Sequence, residues 1–224
     1  MNTEPWLPST LNAHGLDDRS LFCNWRWRLG IAGVFVVLQV LVVFAFLNPP
    51  REYLFLWYCN HVLILFAFAI LTRNAQMVKG LSYVGMLTQL YWILDFTFNV
   101  LGLRLSGATD FVFTEGFAFS TVVTVIVHLV TPLVALLFTI RIRPQPISLV
   151  YAWVYAAGLY TVTLLFAQPA LDVNCVFSGC NPTGFGGLWD LYLWPAALIV
   201  LTSIAFALHH GLHHLDAERN IKGR

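Results

Sequence analysis

Charge is what this chain has least of: Asp, Glu, Lys and Arg make up 10% of its 224 residues, while 58% are hydrophobic. A water-soluble domain of this length cannot hide so much apolar surface. The formal net charge is +1, so a nucleic-acid role has no electrostatic support. Cysteine is scarce as well, with four in the whole chain, which excludes a disulfide-stapled scaffold. No phosphate-cradling glycine loop, zincin His-Glu pair or serine elbow occurs, and Gly184-Phe185-Gly186-Gly187 lacks dinucleotide spacing. A cleavable signal peptide is not expected either. The first twenty-odd residues are polar, so the first apolar segment doubles as the export signal.

What the chain does have is long runs with almost no charge. Stretches of about 18 or more apolar residues indicate membrane spans. Six segments qualify: Leu29–Leu47, Tyr53–Leu71, Leu81–Gly102, Ser120–Ile140, Leu149–Phe166 and Leu191–Leu208. The expected fold is all-α, a polytopic membrane protein with six transmembrane helices in one bundle. Residues 1–24 form a polar tail, 25–212 the transmembrane domain and 213–224 a second short tail. Trp25 and Trp27 beside Arg26 and Arg28 mark the water boundary.

The basic residues set the orientation. Arg19, Arg26 and Arg28 precede span one, Arg73 and Lys79 separate spans two and three, and Arg141 and Arg143 separate four and five. Arg219, Lys222 and Arg224 follow span six, whereas the alternate connections hold only Arg51 and Arg104. The positive-inside rule predicts a cell-membrane protein with both termini cytoplasmic. Cys175 and Cys180 then fall outside, where their spacing suits a small disulfide-closed loop.

Ionisable groups inside such spans are costly and therefore candidates for function. Span two carries Cys59, Asn60 and His61 in succession, after the proline turn Asn48-Pro49-Pro50. At helical rise, Cys59 is expected roughly 9 Å and His61 roughly 12 Å below the outer end. Span three brings Thr88, Tyr91, Asp95 and Asn99 on one stripe, and span four Thr121, Thr124, His128 and Thr131. Asp95 and His128 count out to roughly 10 Å and 12 Å of depth. Cys59, His61, Asp95 and His128 are therefore expected at one height in the outer half of the membrane. Span one, with Gln39 as its notable polar residue, is expected to be lipid-facing packing, Tyr151, Tyr155 and Gly158 a packing face, and loop 103–119 a re-entrant or interfacial flap. Trp189, Asp190, Tyr192 and Trp194 begin span six as an aromatic belt. At its other end, His209, His210, His213 and His214 meet the helix dipole and headgroups. His209 and His213 also have the spacing of metal ligands.

The sequence Tyr58-Cys59-Asn60-His61, the stretch from His128 to Pro132, the Asn181-Pro182-Thr183-Gly184 loop and the Trp-rich start of span six carry a resemblance. Over roughly residues 50 to 205 the chain resembles a family of six-span membrane proteins. That family includes uncharacterised bacterial members, a eukaryotic transmembrane acyltransferase and the androgen-induced lipid hydrolases. The resemblance implies acyl chemistry on membrane lipids, with Cys59 as nucleophile and His128 as base. Asp95 departs from the family pattern, as does the absence of a proline just before Cys59.

Combined with the residues, the expectation is an acyltransferase or hydrolase acting on lipid esters without a cofactor. Asp95 would orient the imidazole, and Asn60 or His61 would donate to the oxyanion. The alternatives are a haem held by His61 and His128, a metal-binding protein, and a transporter or structural membrane protein. Substrate, acyl acceptor and oligomeric state are left open.

Overall fold

In a hydrocarbon environment each peptide group must be satisfied within its own segment, so apolar runs of this kind become helices. The computed structural model describes residues 24–46, 55–114, 118–139, 142–167 and 194–222. Among them there are helices and no strands. They are α1 (Trp25–Phe46), α2 (Tyr58–Leu71), α3 (Ala75–Val100), α4 (Asp110–Thr114), α5 (Phe119–Thr139), α6 (Pro146–Phe166) and α7 (Trp194–Lys222). Four of them, α1, α5, α6 and α7, are long and apolar enough to cross a membrane. The polar start of the chain, the proline turn at 48–50 and the Cys175–Cys180 pair lie outside the described residues.

Local chemistry sets the ends. The Asn74 side chain caps α3 by accepting from the Met77 N–H at 3.0 Å. Just before it, Arg73 takes a left-handed φ of 58° and turns the chain back, so α2 and α3 form a tight antiparallel pair. Pro146 stands in the first turn of α6, where a missing N–H costs nothing. Pro132 lies inside α5 and has no N–H to give the carbonyl of His128, one turn earlier. The last helix, α7, continues to Lys222.

α3 is the hub. It packs against α2, α5, α6 and α7, while α1 covers α2 and α5, and α6 also meets α7. The α3–α6 approach depends on Gly80: a Cβ there would stand 2.5 Å from the Ser148 carbonyl and 2.6 Å from Tyr151 Cβ. Small residues at such crossings let helix backbones come close. Phe35 of α1 stacks on Phe66 of α2 with ring centroids 5.2 Å apart. Gln39, expected to face lipid, is instead buried beside that pair. It donates to the Asn60 carbonyl at 3.0 Å and accepts from the Ile64 N–H at 3.3 Å. A buried amide is retained only when both ends find partners, and α2 supplies them.

The outside of the structure is the reverse of a soluble protein's. Phe44, Phe68, Leu133, Val154, Leu165, Phe166 and Leu208 are all exposed. So large an apolar exterior calls for a lipid environment.

Candidate functional site

The segment carrying Cys59 is shorter than its sequence suggests. α2 begins at Tyr58 rather than Tyr53, after an extended Trp57, and no side chain caps its first turn. Cys59 therefore sits in the first turn of α2 rather than roughly 9 Å along it. The thiol is buried and is the free cysteine among the described residues. Its hydrogen-bond partner is the Asn60 Oδ1, at a sulfur distance of 3.6 Å.

His61 is held at both ring nitrogens. The Trp57 carbonyl can only accept, so Nδ1–H donates to it at 2.9 Å. That leaves Nε2 to accept from the Tyr155 hydroxyl of α6 at 2.8 Å. Tyr155 packs edge-on to Tyr58, with centroids 5.8 Å apart, and Cys59 is an electrostatic neighbour of both tyrosines. Tyr58 in turn donates to the Leu81 carbonyl at 2.6 Å. Its ring lies where a side chain on Gly85 would go. Cys59, Asn60, His61, Tyr58 and Tyr155 thus form one cluster between α2, α3 and α6.

Two expected members are elsewhere. His128 donates from Nδ1 to the Thr124 carbonyl at 2.8 Å and stacks on Trp92 of α3 with centroids 4.3 Å apart. Trp92 is seven residues beyond Gly85, about 10 Å further along α3. Among the described residues His128 makes no bond to the thiol. Asp95 is further still and is fully occupied. Its Oδ1 accepts from the Ser106 hydroxyl at 2.7 Å, the Ser106 N–H at 2.8 Å and the Gly107 N–H at 3.2 Å. Its Oδ2 accepts from the Thr109 N–H at 2.8 Å and the Thr109 hydroxyl at 2.7 Å.

Asp95 therefore anchors the loop that follows α3 and does not orient an imidazole. Asn99 reinforces it by donating to Thr109 Oγ1 at 2.8 Å, and Arg104 closes the loop on Asp110 at 2.7 Å. Gly107 completes the turn with a φ of +90° that only glycine adopts freely. The expected polar stripe on α3 splits accordingly, with Thr88 and Tyr91 exposed and Asp95 buried. Within the expected flap, residues 106–110 are bonded to α3.

The haem alternative does not fit this geometry, because neither ring nitrogen of His61 is left for a metal. His209 faces the Lys79 ammonium, which opposes a metal ion at that position. Tyr155 and Lys79 are the participants that sequence reasoning missed. Tyr155 had a usable signal: a tyrosine four residues from Tyr151 in an otherwise apolar span needs a partner for its hydroxyl. Tyr151 finds one too, accepting from Asn74 Nδ2 at 2.8 Å. No protein-family model, curated protein or solved structure matches the chain, so similarity assigns it to no family.

Proposed function

We propose that the protein is a six-span integral membrane protein with both termini in the cytoplasm, acting on lipid esters through a Cys59 nucleophile. α2 and α3 supply the two further crossings in this arrangement. α2 has 14 residues and so covers about 21 Å of a hydrocarbon layer near 30 Å thick. With its inner end at the cytoplasmic boundary, its first turn lies below the outer boundary, within reach of a lipid ester.

The observation that carries the proposal is the location of the thiol: buried, in a first helical turn that no side chain caps. Amide N–H groups at a helix start favour negative charge, first on a thiolate and then on the oxyanion that its attack creates. The geometry favours His61 over His128 as the base. Tyr155 passes its proton to His61 Nε2 and takes the proton of the thiol. The thiolate attacks the ester carbonyl and a carbon–sulfur bond forms. The carbon–oxygen bond then breaks, and the leaving alkoxide takes the proton back from the imidazolium through Tyr155. Water as second nucleophile makes a hydrolase; a lipid hydroxyl or amine makes a transferase.

The test is intact-mass measurement of the protein in nanodiscs after incubation with p-nitrophenyl palmitate. The expected result is one acyl adduct, absent in Cys59→Ala. An unmodified wild type, or an adduct that persists in Cys59→Ala, excludes this chemistry.

A further inference from the structure

Near the α2–α3 turn, remote from Cys59, Lys79 is wholly buried with no carboxylate partner among the described side chains, which on α7 end at Leu212. Its Nζ lies 3.1 Å from each ring nitrogen of His209 on α7, and the Tyr83 hydroxyl is 3.2 Å from His209 Nδ1. An ammonium carries three N–H donors, whereas a neutral imidazole offers one lone pair. In its protonated form Lys79 thus has more donors than the described side chains have acceptors for, and that charge is unmatched there. A buried cation in that state is costly unless an anion joins it.

Room for an anion exists at the same place. Lys79, Tyr83 and His209 line a partly open cavity of about 150 Å³, together with Met86, Leu136 and Ala205. Most of its wall is apolar. A small inorganic anion would match the ammonium and leave that wall uncovered, whereas a neutral lipid would cover the wall and leave the ammonium unmatched. We infer that this cavity binds a monoanionic amphiphile. Its carboxylate or phosphodiester oxygens accept from Lys79 and Tyr83, and its apolar chain runs along Met86, Leu136 and Ala205. In the proposed orientation the cavity opens at the cytoplasmic end, so a fatty acid and an inner-leaflet phospholipid are the two sources of that chemistry. The site does not depend on the acyl chemistry proposed for Cys59.

Full-length protein in uncharged detergent is titrated with oleate, with dioleoyl phosphatidylglycerol and with inorganic phosphate, following the thermal midpoint. One or both lipids are expected to raise the midpoint saturably, and the responding one identifies the source. Inorganic phosphate is expected to have no effect. Lys79→Met is expected to weaken apparent affinity by about tenfold or more, and Lys79→Arg to retain it. Ala205→Leu fills the cavity without removing the cation and is expected to weaken binding too, which keeps the test decisive if Lys79→Met does not fold. Indifference to both lipids, an unchanged response in both weakening variants, or protection by phosphate alone would overturn the inference.

Discussion

The Tyr155 hydroxyl reaches across from α6 to donate to His61 Nε2 at 2.8 Å, while the same imidazole donates from Nδ1 to the Trp57 carbonyl at 2.9 Å. The two bonds fix the tautomer and orientation of the ring beside a buried thiol. Tyr155→Phe removes one partner and keeps the shape of the other. It is expected to cost about 1–2 kcal/mol in thermal or denaturant unfolding. It is also expected to slow acylation of Cys59 at unchanged protein fold, read by the rate of adduct formation. Equal rates in Tyr155→Phe and wild type would remove the tyrosine from the proton path.

His128 is expected to contribute little to that rate. Its ring stacks on Trp92 and donates to Thr124, with no bond to the thiol among the described residues. His128→Gln should acylate at near wild-type rate, whereas His61→Gln should not. The opposite ranking would restore the base suggested by family resemblance.

Asp95 separates structure from chemistry. Asp95→Asn puts an amide N–H₂ against donors from Ser106 or Thr109, so bonded groups in that loop lose their acceptor. The expected cost is about 1–3 kcal/mol. Faster hydrogen exchange should appear at residues 106–109, with acylation of Cys59 retained. Loss of acylation without loop opening would assign the carboxylate a direct role.

Gly80→Ala tests the α3–α6 crossing. The added Cβ meets backbone at 2.5 Å from the Ser148 carbonyl oxygen, and backbone cannot rotate away as a side chain can. Overpacking of this kind costs about 1–3 kcal/mol. Gly158→Ala, with open space around the added methyl, should leave the thermal midpoint nearly unchanged. Similar midpoints for the two variants would contradict the close crossing.

Orientation is read with reporter fusions. Alkaline phosphatase joined after Lys222 should be inactive, and joined within loop 103–108 active. A green fluorescent partner should show the opposite pattern. Reversed activities would overturn the assignment made from the basic residues.

Apolar run length made the helices of the lipid-facing elements legible, because composition alone decides that a stretch such as Pro146–Phe166 becomes helical. The relative heights of the polar residues were not legible. Counting depth from the outer ends of the spans assumes equal lengths. α2 has 14 residues and α3 has 26. Counted from the turn they share, Cys59 rises about 18 Å and Asp95 about 30 Å. Partner identity was equally hidden. Gln39 looks like an isolated amide until α2 is packed beside it, and Asp95 like an isolated acid until the following loop folds back. Both are tertiary bonds that no periodicity encodes.

The hub helix has a consequence for biogenesis. α3 carries two charged groups, Lys79 and Asp95, within one helix, yet it leaves the ribosome before α5, α6 and α7 exist. Asp95 is satisfied by the loop that directly follows α3, but Lys79 meets its neighbour His209 only when α7 arrives. α3 is therefore expected to wait at the translocation machinery and to enter the bilayer together with them, so that truncation before α6 yields a chain marked for degradation.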